Sequence, residues 1–149
     1  MNSTVNFYSL EKTQDLDLCV CFLVRELYKL ENQILIIDYS DNMKKLDKIL
    51  WTFVQNSFIP HRIYEPNVSL DTPVVLLNEK YLDNLTILNK YTSIINKLNE
   101  PIIKTKTNVN VFEFVEDDEQ KKIISRNKYS IYKENSFEMK YKKYKEQTI

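Results

Sequence analysis

The chain has 149 residues and not one glycine. No other feature constrains its possible folds and sites as much. The loops that grip phosphate in nucleotide-binding proteins, GxGxxG and GxxxxGK[ST], need glycine so that backbone N–H groups can close on the anion. Neither can be written here. Left-handed turns must also fall to other residues, and asparagine is the usual substitute. Asn32, Asn56 and Asn135 end apolar helical stretches and are predicted to take that conformation. Alanine is absent too, while Lys, Asn, Ile and Tyr are abundant. This is the mark of a strongly AT-biased genome, so Lys is expected where related chains use Arg.

Apolar patterning sets the class. TVNFYSL (4–10) is a short β-like run. Residues 15–32 are apolar nearly all round and predict a buried helix. QILIIDYS (33–40) and TPVVLLNE (72–79) are continuous apolar strands, typical of a sheet covered on both faces. Between them, Asp41 or Asn42 caps a helix over 43–55. NLTILNK (84–90) reads as a further strand, and YTSIINKLNE (91–100) as a short helix stopped before Pro101. VNVFEFVE (109–116) alternates as a strand. Residues 117–135 predict a helix, with acids on its first turn where the dipole favours them. The expected fold is α/β, a three-layer α/β/α domain with a mostly parallel, mixed sheet, Rossmann-like but lacking a nucleotide-binding loop. One domain spans 1–137, and 138–149 is a basic tail.

Cys19 and Cys21 lie about 200° apart on the first helix. Their thiols diverge, so buried free thiols are expected, not a disulfide or metal site. The longest apolar stretch near the N-terminus is LCVCFLV. That is too short for a membrane span or signal peptide, and the cytoplasm is the expected compartment. No catalytic, cofactor or metal residues are read.

Charge points to the end of the chain. Residues 1–119 carry 12 basic and 18 acidic groups, a net of −6, whereas residues 120–149 carry 9 and 3, a net of +6. An anionic partner is therefore expected at the C-terminal fifth. On a helical wheel of 122–133, Lys122, Arg126, Tyr129 and Lys133 form one stripe, with Ile123, Ile124, Asn127 and Ile131 opposite. Such a stripe is either a solvated face or a carboxylate-binding surface. The segment KYKKYK (140–145) interleaves charge and rings, as single-stranded nucleic-acid binders do. It is also what an AT-biased genome produces by drift.

A second surface lies at 51–61. On the wheel of 43–54, Met43, Leu46, Ile49, Leu50, Phe53 and Val54 share an arc, and Trp51 falls outside it among Lys44, Asp47 and Lys48. Two readings stand. Trp51 covers the core rim with Phe58 beneath it, or both form a protein-binding patch beside Pro60 and His61, tryptophan being a leading hot-spot residue. His61 is the only histidine, without a neighbouring Cys or Ser to activate.

Three segments together resemble the chi subunit of bacterial DNA polymerase III. They are VNFYSL at the start, LDKILWTFVQNSFIPHRI, and FEFVEDDEQKKIISRNKYSIYKENSFEM with its Arg126, Tyr129, Tyr132 spacing and Phe137. The resemblance spans most of the chain. It implies an α/β sheet without nucleotide binding and a non-catalytic clamp-loader accessory at the replication fork. It implies two partners. The psi subunit would meet Trp51, Phe58, Pro60 and His61. The acidic C-terminal tail of single-stranded DNA-binding protein, ending in a Pro-Phe carboxylate, would meet Val115, Lys122, Arg126, Tyr129 and Lys133. The alternative is direct single-stranded nucleic-acid binding through KYKKYK. Two departures stand out. Ser130 occupies a position often Lys in the family, leaving Lys128 or Lys133 to compensate. Residues 91–108 match poorly.

Overall fold

Strand β2 (Ile34–Asp38) is buried at all five positions. Its side chains alternate between two cores, as the two-residue period of a strand requires. Ile34 and Ile36 join Cys19, Val20, Leu23, Val24, Met43, Leu46 and Leu50 on one face. Leu35 and Ile37 join Ile87, Leu88 and Tyr132 on the other. A continuous apolar strand is the price of having both faces covered.

The computed structural model describes residues 2–30, 32–55, 58–106 and 108–145. Around β2, in chain order, lie β1 (Thr4–Ser9), α1 (Leu16–Lys29), α2 (Met43–Thr52), β3 (His61–Ile63), β4 (Val74–Asn78), α3 (Leu85–Leu88), β5 (Ser93–Asn96), β6 (Asn110–Val115), α4 (Glu119–Glu134) and β7 (Glu138–Lys143). The strands form one sheet in the order β3-β4-β2-β5-β6-β1-β7. Every pairing among the described residues is parallel, so the sheet is wholly parallel and not mixed. Helices α1 and α2 cover one face, α3 and α4 the other. The three-layer α/β expectation holds.

Several local expectations do not hold. Residues 84–90 contain the short helix α3, begun by Asn84, whose side chain accepts from the Ile87 N–H at 3.2 Å. Within 91–100, Ser93–Asn96 is strand β5, fully buried between β2 and β6. β-branched Ile94 and Ile95 pack better on a pleated surface than on a helix, and burial decides. Residues 138–143 are not a free tail. They pair with β1 from Thr4↔Glu138 to Ser9↔Lys143 and form the edge strand of the sheet. Residues 146–149 lie outside the described residues.

Left-handed backbone falls at Asn67, Asn108 and Ser136, with φ of 71°, 65° and 65°. Asparagine does replace glycine, but at other positions. Asn135 has φ −96°, and the next residue makes the turn. Asn32 instead donates from its side chain to the Leu27 carbonyl. Asn56 is outside the described residues. Both cysteines are buried and neither is in a disulfide. Burial, with the Asp17 carboxylate adding to it, pushes the Cys21 thiol far up. No helix among the described residues is long and apolar enough to cross a membrane.

Candidate functional site

Helix α4 shapes the site. Asp118 caps it, its carboxylate accepting from the Lys121 N–H at 3.0 Å. Two polar side chains, Lys128 and Tyr132, are the ones α4 buries. Both reach Glu113 on β6, which is only 1% exposed. Lys128 Nζ lies 2.7 Å from Glu113 Oε1, and the Tyr132 hydroxyl donates to Oε2 at 2.6 Å. Asn96 of β5 donates to the same oxygen at 2.8 Å. Lys128 also donates to the Leu98 carbonyl, and the Tyr132 oxygen accepts from the Ile102 N–H at 2.9 Å. The network ties α4 to the long β5–β6 connection, whose described residues form no helix of the kind that usually crosses between parallel strands.

This burial corrects the wheel. The inward face is not the isoleucine face, and Ile123 is 53% exposed. Lys128 is spent on Glu113 and cannot stand in for a lysine at Ser130.

With Lys128 and Tyr132 inward, the flank of α4 overhangs the edge of the sheet and leaves a cleft of about 740 Å3. Its α4 wall carries Lys122, Arg126, Tyr129 and Ser130. Its floor is Phe7 of β1 and Val115 of β6, and Tyr141 of β7 closes the far side. The floor is aromatic. The Phe7 ring lies 5.5 Å from Tyr129, 6.0 Å from Tyr132, and 6.2 Å from Tyr141, the last pair stacked. Four of the five expected residues, Val115, Lys122, Arg126 and Tyr129, thus line one cleft. Lys133 is exposed and does not line it.

The two cations of the cleft differ. Lys122 is already paired, its ammonium 2.9 Å from Asp117 and 3.9 Å from Glu119. Hydrogen bonding and charge from Asp117 hold Lys122 above the usual lysine range, and Lys122 holds Asp117 below the usual carboxylate range. Arg126, one turn on, has no acidic side chain within ion-pair distance among the described residues. A planar guanidinium over an apolar aromatic floor suits a carboxylate that carries a ring.

The family profile described as "DNA polymerase III chi subunit, HolC" matches residues 2–140. The chain belongs to the DNA polymerase III chi subunit family. That makes it a member of a family of accessory, non-catalytic subunits of the replicative polymerase. No curated protein sequence matches it. Two solved structures share the fold at low identity. One is the C-terminal domain of the DEAD-box protein Dbp5, at TM-score 0.56 and 13% identity, covering 93% of this chain and 89% of that one. The other is the C-terminal part of the Fun30 ATPase domain, at TM-score 0.50 and 11% identity, covering 72% and 44%. These likenesses concern architecture alone.

The second surface of this chi-family chain lies at the opposite edge of the sheet, beside β3. Trp51 is 44% exposed and Phe58 69%. Their rings touch, with centroids 5.4 Å apart. Trp51 also lies over His61, at 4.0 Å. His61 itself is buried and offers no surface. Its Nδ1 is 2.7 Å from the Ile59 carbonyl, and its Nε2 is 3.1 Å from Asp47 Oδ1 and 3.3 Å from the Asp47 carbonyl. Trp51 thus roofs the buried His61 ring and presents its outer face beside Phe58, which is exposed and not tucked beneath it. Pro60 is half-buried.

Sequence reasoning missed two features. Asp117 and Tyr141 of the cleft come from segments read as a helix start and a basic tail. A second buried charge cluster joins Lys97 to Asp17 and Asp38, with Asn42 donating to both acids. Burial pushes Asp17 up, but Lys97, Asn42 and Lys45 together hold it low. Its members are scattered through the chain, and no local pattern reveals them. Among the described residues, no cluster of His, Cys, Asp and Glu could hold a metal ion.

Proposed function

We propose that the chain is a replisome adaptor whose cleft takes the acidic C-terminal tail of single-stranded DNA-binding protein. The observation that carries this reading is Arg126, lacking an acidic partner among the described residues, above the Phe7–Val115–Tyr129 floor. The terminal carboxylate pairs with the Arg126 fork, and the terminal phenylalanine ring rests on the floor. The exposed Trp51–Phe58 pair docks the psi subunit of the clamp loader, with Pro60 shaping the approach and His61 supporting Trp51 from below. This work belongs at the replication fork, in the cytoplasm, and membership of a replication-subunit family supports that reading.

The test is calorimetric titration with an acidic nonapeptide ending in Pro-Phe. The free-carboxylate peptide should bind, and its C-terminal amide should bind far more weakly. Equal binding of the two would remove the reading. A short single-stranded oligonucleotide should not bind at comparable strength. The nucleic-acid alternative needs a free KYKKYK segment, but Tyr141 stacks on Phe7, and Tyr144 is buried against Tyr8 and Phe114.

For the second surface, Trp51→Ala should change stability by only about 1 kcal/mol, because much of the ring already faces water. It should cost about 2 kcal/mol or more of psi binding. Chemical denaturation and a co-purification assay measure the two effects. A folding loss of several kcal/mol would instead make Trp51 a core residue.

A further inference from the structure

A carboxylate lies inside the cleft that is proposed to receive carboxylates. Asp117 shares the cleft with Arg126 and is bonded to Lys122 at 2.9 Å. We infer that Asp117 is a resident competitor for Lys122, and that it mutes the response of the cleft to acidic residues preceding the ligand's terminal carboxylate. The inference rests on the proposed function and concerns the regulation of the same site.

The acidic run at residues 116–119 divides its labour. Asp118 is committed to the helix cap, through its bond to the Lys121 N–H. Glu119 sits in the first helical turn, 3.9 Å from Lys122. Asp117 precedes the cap, and the capping bond is made by Asp118 and not by Asp117. Its side chain is 36% exposed and that of Lys122 is 38% exposed, so the pair stands at the mouth of the cleft in contact with water. An exposed pair is weak and can be opened by a competing anion.

The two cations therefore answer a ligand differently. A carboxylate arriving at Arg126 gains an ion pair and breaks none. A carboxylate arriving at Lys122 must displace Asp117, so one ion pair replaces another. Discrimination for the chain terminus is kept in full, and the gain from upstream acids is damped. The weaker dependence on acid count also means a shallower salt dependence, since ligand binding leaves the number of paired charges at Lys122 unchanged.

The test uses the full chain, four proteins and two peptides. The proteins are the wild type, Asp117→Asn, Lys122→Ala and the double variant. One peptide is the acidic nonapeptide ending in Pro-Phe, and the other has its upstream Asp and Glu replaced by Asn and Gln. Asp117→Asn should tighten the acidic peptide about 3-fold at low salt, within the range of exposed pairs. It should steepen the salt dependence and leave the neutralised peptide nearly unchanged. The tightening should vanish in the Lys122→Ala background. If the wild type binds and Asp117→Asn has no effect or weakens binding, the inference is wrong and the proposed function stands. A gain that persists undiminished without Lys122 also overturns it, because competition then plays no part. If no protein binds either peptide, the proposed function falls and this inference falls with it. Thermal unfolding of Asp117→Asn should match the wild type, and a lowered midpoint would assign Asp117 to the helix instead.

Discussion

Lys128→Met is expected to lower the unfolding free energy by about 3–5 kcal/mol, the usual cost of removing one partner from a buried ion pair. Glu113 is 1% exposed, and Lys128 is its only cationic partner among the ion pairs of the described residues. Methionine fills much of the lysine's volume, so the loss reports charge more than a cavity. Tyr132 and Asn96 still donate to the carboxylate, but neither carries a compensating charge. The double variant Glu113→Gln/Lys128→Met should recover most of the loss, because both charges leave together. Urea denaturation measures all three proteins. A loss below about 1 kcal/mol for Lys128→Met would show that Glu113 is not held as an anion.

The same variant should show a stronger pH dependence than the wild type. Burial already pushes the Glu113 carboxyl up from its ordinary value of 4.5, while the charge and hydrogen bond of Lys128 and the bonds from Tyr132 and Asn96 pull it back. Burial already prevails, and without Lys128 the carboxyl is pushed further up. A carboxyl raised in the folded state stabilises fully below its unfolded pKa and loses that contribution as pH rises through the folded value. The deficit of Lys128→Met relative to the wild type should therefore be smallest near pH 4.5 and grow toward neutrality. A deficit independent of pH would locate the damage in the lost bond to the Leu98 carbonyl instead.

The second large effect concerns binding. Arg126→Ala should weaken the acidic peptide by about 2–3 kcal/mol, as expected for a charge-assisted bidentate contact. Arg126→Lys should rescue little, since an ammonium is a point charge without the planar fork. Lys133→Ala should cost much less, because Lys133 stands outside the cleft. Amidating the peptide terminus should mimic the loss of Arg126. The two changes combined should be clearly less than additive, because each removes the same contact. Additive effects, or indifference to both, would mean that Arg126 does not hold the terminus. Affinity should also fall with salt, since exposed charges are screened beyond about 8 Å at physiological ionic strength.

Much of this chain was legible before folding. The missing glycines excluded the phosphate loops outright. The unbroken apolar runs at 33–40 and 72–79 announced buried parallel strands, and these became β2 and β4. The helical spacing of Lys122, Arg126 and Tyr129 placed them on one stripe, and the structure puts them along one cleft. In each case the pattern is local, carried by residues within two helical turns or one strand. Local patterns misled where burial depends on distant partners. Within residues 91–100, Ser93–Asn96 became a strand because β2 and β6 enclose it. Lys128 turned inward because Glu113, 15 residues earlier, awaits it on β6. The first four residues of KYKKYK, 140–143, joined an edge strand because β1 offers them a parallel neighbour. Sequence alone determined the class of fold and the existence of a basic, aromatic-lined helix face. Only the tertiary structure decided which lysine is buried, which is paired and which arginine of the cleft has no acidic partner among the described residues. Charge placement depends on burial and on ions brought from far along the chain, and neither is a property of neighbouring residues.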